Sequence, residues 1–142
     1  MSDLPTSLTL EVATPLGMAL SVQTDSVQAP SVVGEFGVLP GHVPLLAALK
    51  PGILTYKKDG AMLKAAIGAG FAEATADKVR VITEFFLSRE QIDRDKAQKD
   101  LESAEARMKE IKAPIEDVEY KEAERALQWA QARLGLVAGG AN

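Results

Sequence analysis

Phe86-Leu87-Ser88-Arg89-Glu90-Gln91-Ile92-Asp93 is the stretch where the chain changes pattern, and the fold follows from reading outward from it in both directions. Ser88 is placed to cap a helix with its hydroxyl, and Gln91, three residues on, to reach back to the cap's backbone N–H, the capping-box arrangement. The first helix is therefore predicted to start at Ser88. Downstream, Gly and Pro are absent until Pro114, while Ala, Glu, Lys, Arg and Gln, all good helix formers, dominate. Ala97, Leu101, Ala104, Met108 and Ile111 fall at alternating spacings of four and three, which places them on one narrow stripe. Pro114 cannot continue that helix, so Ala113-Pro114-Ile115-Glu116 reads as a connection and Asp117 as the N-cap of a second helix. There Tyr120, Ala123, Leu127, Ala130, Leu134 and Val137 repeat the spacing. Two matching stripes predict an antiparallel hairpin. Its alanines allow close approach but bury little area, so the hairpin is marginal alone and has to lean on a second body, which makes it a candidate switch.

Upstream of residue 88 the pattern is short apolar runs broken by Gly, Pro and Asp, without helical periodicity. Leu8-Thr9-Leu10-Glu11-Val12 and Met18-Ala19-Leu20-Ser21-Val22-Gln23 pair across Pro15-Leu16-Gly17. Gly52-Ile53-Leu54-Thr55-Tyr56 and Ala61-Met62-Leu63-Lys64-Ala65 pair across Lys57-Lys58-Asp59-Gly60, whose Asp-Gly is the strongest turn marker in the chain. Gly70-Phe71-Ala72-Glu73-Ala74 and Val79-Arg80-Val81-Ile82-Thr83 pair across Thr75-Ala76-Asp77-Lys78. Strands at this spacing imply an all-β sandwich or barrel. The division is thus residues 1–87, all-β, and 88–142, a two-helix hairpin, with Ala138-Gly139-Gly140-Ala141-Asn142 read as a frayed tail.

The 142 residues suit one compact domain with an appendage and exclude a large multidomain enzyme. With 16 Lys+Arg against 20 Asp+Glu there is no basic excess to bind nucleic acid. The absence of cysteine removes thiolate zinc sites and cysteine nucleophiles, and one histidine, His42, removes a histidine-based metal cluster. In its Pro-Gly-His-Val-Pro turn, His42 reads as a structural residue bonding the backbone, with an interface contact as the functional alternative. The segment 34–41 lacks the Lys-Ser/Thr of a phosphate loop, and Gly68-Ala69-Gly70 has Glu73 where a dinucleotide fingerprint needs a glycine. Glu90, Asp93, Arg94, Asp95 and Lys96 read as a solvated face. No run of about 20 apolar residues is present to cross a bilayer, and the first residues carry no secretory signal.

Val33-Gly34-Glu35-Phe36-Gly37-Val38-Leu39-Pro40-Gly41-His42-Val43-Pro44-Leu45-Leu46-Ala47-Ala48-Leu49-Lys50-Pro51-Gly52 resembles the signature of the epsilon subunits of F-type ATP synthases. The resemblance implies a sandwich of about ten strands, followed by the helical hairpin, in a non-catalytic rotor subunit that transmits ring rotation to the catalytic head. It implies that Ser31, Val32, Val33, Gly34, Glu35 and Phe36 form the turn that meets the c-subunit ring. Val38, Leu39, Pro40 and His42 match the stretch near the gamma subunit. The hairpin, extended upward, is then a brake on ATP hydrolysis that meets the alpha and beta subunits, with Lys121, Arg125 and Arg133 as the inhibitory contacts. Some members hold ATP on the folded hairpin through an Ile/Leu-Asp-x-x-Arg-Ala motif. Here Ile92, Asp93, Lys96 and Arg133 match that site, but Lys96 replaces the motif arginine and Trp129 falls on a helix-two arginine. Lys is a point charge and not a planar fork, so weak ATP binding or none is expected, and no other cofactor. The rival readings are a free-standing ATP sensor and a generic adaptor. The expected location is the cytoplasmic face of a bacterial inner membrane, reached only through partners.

Overall fold

The computed structural model describes residues 5–138. Ten strands come first: β1 (Leu8–Thr14), β2 (Gly17–Thr24), β3 (Val27–Ser31), β4 (Gly34–Val38), β5 (Leu45–Leu49), β6 (Gly52–Lys58), β7 (Ala61–Ile67), β8 (Gly70–Ala74), β9 (Lys78–Thr83) and β10 (Phe86–Ser88). A single 3-10 turn, Arg89–Gln91, leads to helices α1 (Arg94–Glu110) and α2 (Val118–Ala138). Of the tail read from sequence as frayed, Ala138 instead ends α2, and residues 139–142 lie outside the described residues.

The three expected hairpins, β1–β2, β6–β7 and β8–β9, all form. Between β6 and β7 only Asp59 and Gly60 make the turn, with φ of 53° and 81°, the left-handed pair that matches the twist of the flanking strands. A fourth hairpin, β3–β4, was not expected. Its strands pair from Val27 with Val38 to Ser31 with Gly34, and Gly34 and Gly37 dilute the apolar alternation that marks a strand. One hydrogen-bonded path, β10-β7-β6-β3-β5-β8-β9-β1-β2 with β4 beside β3, runs through the whole domain. It contains one parallel pair, β1 with β9.

Alternate residues of these strands point inward. Leu8, Leu10 and Val12 from β1, Val27 and Ala29 from β3, Leu54 and Tyr56 from β6, and Val79 and Val81 from β9 belong to one buried cluster. Each buried Leu or Val contributes roughly 1.5–3 kcal/mol relative to exposure, so this layer carries the stability of the domain. Gly70 is obligatory where β8 crosses β9, because a Cβ there would sit 2.8 Å from the Thr83 Cα.

The start of the first helix differs from the expectation. The Gln91 carboxamide does accept the Ser88 N–H at 2.9 Å, but it closes only the 3-10 turn, and Ile92 is extended at φ −85°, ψ 124°. Ile92 bends away to pack on Ala66, Ala132 and Leu136. Helix α1 then starts afresh, with Asp93 as its N-cap accepting the Lys96 N–H at 3.1 Å. Asp117 caps α2 as expected, accepting the Glu119 N–H at 2.9 Å.

The two helices meet through alanines: Ala97, Ala104, Ala123 and Ala130 are all nearly inaccessible. Helix α2 has a second buried face that one stripe does not describe. Ala132 and Leu136, flanked by Trp129, sit on Ala66 and Ile53 of the sandwich. The hairpin is therefore folded down, with α2 between α1 and the β6–β7 surface.

Candidate functional site

The turn between β3 and β4 is braced from within. Ser31 is buried, and its hydroxyl donates to the Gly34 carbonyl at 2.6 Å while accepting the Val33 N–H at 3.1 Å. Bracing pushes the next two side chains outward: Val32 is 62% and Val33 93% exposed. Glu35 is exposed and Phe36 is partly buried against the core. The tip of this turn is thus apolar, and its carboxylate stands two residues behind it.

In the next segment, Val38 does not face outward; it is 1% exposed and belongs to the core. As the last residue of β4 it takes the inward position paired with Val27. Leu39 is 62% exposed, while Pro40 and His42 are half-buried. The Gly41 N–H donates to the Ala76 carbonyl at 2.7 Å, and Nδ1 of His42 lies 2.5 Å from the Val43 carbonyl. The His42 ring serves the turn's own backbone.

Beside this turn the outer face of the β5–β8–β9 sheet carries an apolar row next to a charged one, in which Leu46 pairs with Glu73 and Glu73 with Arg80. Ala48 pairs with Phe71, which pairs with Ile82, and Leu46, two residues from Ala48, shares their face. Leu46, Phe71 and Ile82 are each more than half exposed. Glu11 borders the patch, 3.3 Å from Arg80 and 3.8 Å from Lys78. An apolar surface with a charged rim is the pattern of a protein-docking site.

The three helix cations separate. Lys121 and Arg125 are exposed, whereas Arg133 is buried beneath the hairpin. Its Nη1 lies 3.0 Å from Oδ2 of Asp100, and its guanidinium stands 5.1 Å from the Trp129 ring centre. Trp129 in turn stacks on Phe85 of the sandwich at 4.9 Å. Lys96 reaches the same Asp100 oxygen at 3.1 Å. Partial desolvation pushes the Asp100 carboxyl up, but hydrogen bonds and charge from Lys96 and Arg133 outweigh it and hold it below its ordinary value.

These side chains border a cleft of about 540 Å³ between the hairpin and the sandwich, which also contains Asp93, Glu84 and Met18. The structure therefore gathers Asp93, Lys96 and Arg133 but not Ile92, which turns into the apolar cluster. Arg133 and Lys96 are already matched by Asp100, and the Asp93 carboxylate is engaged as a helix cap. Among the described residues no group of three His, Cys, Asp or Glu is placed to hold a metal. No helix is long and apolar enough to cross a membrane.

Two family profiles match the chain in tandem: "ATP synthase, Delta/Epsilon chain, beta-sandwich domain" over residues 7–88, and the "long alpha-helix domain" of the same chain over residues 90–137. The chain belongs to the ATP synthase delta/epsilon family. It is 45% identical to the ATP synthase epsilon chain of Nitratidesulfovibrio vulgaris over 128 residues, 90% of this chain and 93% of that one. It is 38% identical to ATP synthase epsilon chain 2 of Syntrophotalea carbinolica over 133 residues, 94% and 95% of the two. Among solved structures, it superposes with a TM-score of 0.77 and 25% identity on a chain of the Euglena gracilis mitochondrial ATP synthase, a structure of OSCP, F1 and c-ring. That match covers 92% of this chain and 81% of the other.

Within this epsilon-family chain, two features escaped the sequence reading. The Leu46–Phe71–Ile82 face was missed because Leu45-Leu46-Ala47-Ala48-Leu49 and Val81-Ile82 are apolar on both sides of the strand, a signal compatible with burial of both faces. Asp100 was missed because an acid one turn after a lysine reads as an ordinary surface pair.

Proposed function

We infer that this epsilon-family chain of the ATP synthase central stalk is a non-catalytic coupling subunit whose hairpin is a detachable brake on ATP hydrolysis. The observation that carries the brake is the unequal attachment of the two parts. The sandwich is held by a continuous core, while α2 is held to it by Ala66, Ala132, Leu136 and their flanks, together with Phe85–Trp129 stacking. Such an attachment is at the low-stability end, from which switching elements are drawn.

In this reading the apolar Leu46–Phe71–Ile82 face and neighbouring Leu39 dock on the gamma subunit. The Val32–Val33 tip with Glu35 meets the c-ring. An exposed carboxylate pair there contributes about 0–1 kcal/mol, so apolar contact and position matter more than charge. When the hairpin lifts, Lys121, Arg125 and the released Arg133 face the alpha and beta subunits. Asp100 supplies the negative charge that a nucleotide phosphate would bring, so the docked hairpin requires no ATP and no cofactor. The chain sits on the cytoplasmic face of a bacterial inner membrane through these partners.

The test is ATP hydrolysis by a catalytic head depleted of its own epsilon, titrated with the full chain or with a truncation after Ser88, which keeps β10 whole. The full chain is expected to bind and lower the rate, and the truncation to bind without lowering it. Equal inhibition by both forms removes the brake from the hairpin, and failure of both to bind removes the docking assignment.

A further inference from the structure

About two turns of α2 before Arg133, a second cleft of about 330 Å³ opens between the helix and the sandwich. Val32, Lys50, Lys121, Glu124, Arg125 and Gln128 line it. Lys50 stands in the turn after β5, whose backbone is tied down: the Lys50 N–H donates to the Pro30 carbonyl at 3.2 Å, and the Val32 N–H to that of Ala48 at 3.0 Å. Lys121 and Arg125, one turn apart, project from the same face of α2 as Gln128. The cleft therefore has one wall from each of the two parts that the docked hairpin joins.

Its charge is out of keeping with the molecule. The chain as a whole carries −4, yet three cations and one carboxylate line this cleft, a local surplus of 3 − 1 = +2. Among the described residues none of the three cations takes part in an ion pair, although acidic side chains outnumber basic ones in the sequence. Three like charges that make no ion pair converge on one cleft and repel each other, and its single carboxylate, Glu124, does not neutralise them. An anion does. An arginine fork beside two ammonium groups suits an anion with several acceptor oxygens.

We propose that this cleft binds a phosphate-bearing anion, either a free polyphosphate or the phosphate of a lipid headgroup, held by Lys50 from the sandwich and by Lys121 and Arg125 from α2. Because the three converge only while the hairpin is docked, the anion binds that state better and shifts the population toward it. It also occupies two of the cations assigned above to the brake. That regulatory consequence rests on the proposed function; the binding itself does not.

The experiment uses the full chain alone, so it is independent of any hydrolysis assay. Pyrophosphate is the soluble probe, followed by calorimetry and by amide chemical shifts; vesicles of phosphatidylglycerol, against phosphatidylcholine, are the membrane probe, followed by flotation. Saturable pyrophosphate binding with shifts at Lys50, Lys121 and Arg125 identifies a soluble phosphate ligand. Flotation with phosphatidylglycerol vesicles alone identifies a lipid headgroup. In either arm Lys50→Gln and Arg125→Gln are each expected to weaken binding about tenfold, and added salt to weaken it further. These side chains are exposed, so both variants keep the fold, which circular dichroism checks. Binding that is undiminished in Arg125→Gln, or no response to either probe, overturns the proposal. Binding that ignores Lys50→Gln overturns the bridge between sandwich and helix.

Discussion

The sandwich core and the hairpin junction are built from different materials. In the core, leucines, valines and an isoleucine from seven or more strands are shielded almost completely, so each side chain has neighbours brought from distant parts of the sequence. At the junction the buried residues are Ala66, Ala132 and Leu136, helped by an aromatic stack, while the carboxylate shared between two cations ties α1 to α2 within the hairpin. Alanine brings little area per contact. The comparison separates two free energies in one chain: one that keeps the sandwich folded, and a smaller one that keeps the hairpin down. Trp129, the only tryptophan in the chain, lies at the junction against Phe85 and Arg133. Its fluorescence reports the smaller free energy, while hydrogen exchange at the strand amides follows the larger.

The largest separation of the two comes from Leu54→Ala. Leu54 is fully buried in β6, and removing it leaves a cavity at a cost of about 2–5 kcal/mol. The unfolding free energy read from hydrogen exchange at the strand amides is expected to fall by that amount. If Leu54→Ala lowered only the tryptophan transition and left the strands untouched, sandwich and hairpin would not be the two energetic units described here.

A medium effect, confined to the hairpin, is expected from Asp100→Asn, which loosens α1 from α2 beside the junction. The substitution deprives Arg133, 7% exposed, of its charge partner. Asp100 itself is partly open to solvent, with 37% of its side chain exposed, so screening limits the loss to about 1 kcal/mol. Hydrogen exchange in α2 is expected to quicken while β1 and β9 keep their protection. The pH dependence has a definite sign. Asp100 is held below its ordinary value of 3.8, so its contribution is present in full above that value and is lost as the pH falls through the lowered one. In the parent chain the Trp129 signal is expected to change in that acid range before the strands unfold, and Asp100→Asn removes that step. An acid step that persists unchanged in the variant assigns it to another carboxylate.

The same contrast explains what the sequence disclosed. Elements set by local chemistry were legible: Asp59-Gly60 marked the β6–β7 turn, Pro114 the break between helices, and Asp117 the second cap. Elements set by tertiary contact were not. The capping box at Ser88 is real, yet α1 begins at Arg94, because the burial of Ile92 against Ala66 and Leu136 outweighs continuation of the helix. Residues 120–137 show a stripe toward α1, but Ala132 and Leu136 form a second, toward the sandwich, that a single periodicity does not resolve. Among the site residues, Ser31 and Val38 were read as contacts and are buried, since resemblance over a stretch of sequence does not distinguish the residues that shape a turn from those that it displays. Arg133 was grouped with Lys121 and Arg125 by charge. Only the fold assigns it to Asp100 and Trp129.

The smallest effect on stability is expected where exposure is greatest. Val33, 93% exposed at the tip of the β3–β4 turn, touches too little to hold anything together. Val33→Ser is expected to leave both the strand and the tryptophan transitions within about 0.5 kcal/mol of the parent. The turn itself keeps its brace, because Ser31 accepts from the Val33 backbone and not from its side chain. What the substitution removes is the apolar tip alone. If that tip makes the contact with the ring, incorporation of Val33→Ser into membranes carrying the rest of the synthase, measured by competition with the parent chain, falls while stability does not. Equal competition by the two chains transfers the contact to Glu35 and the flank of the turn, and a stability loss above about 1 kcal/mol contradicts the exposed position from which the argument starts.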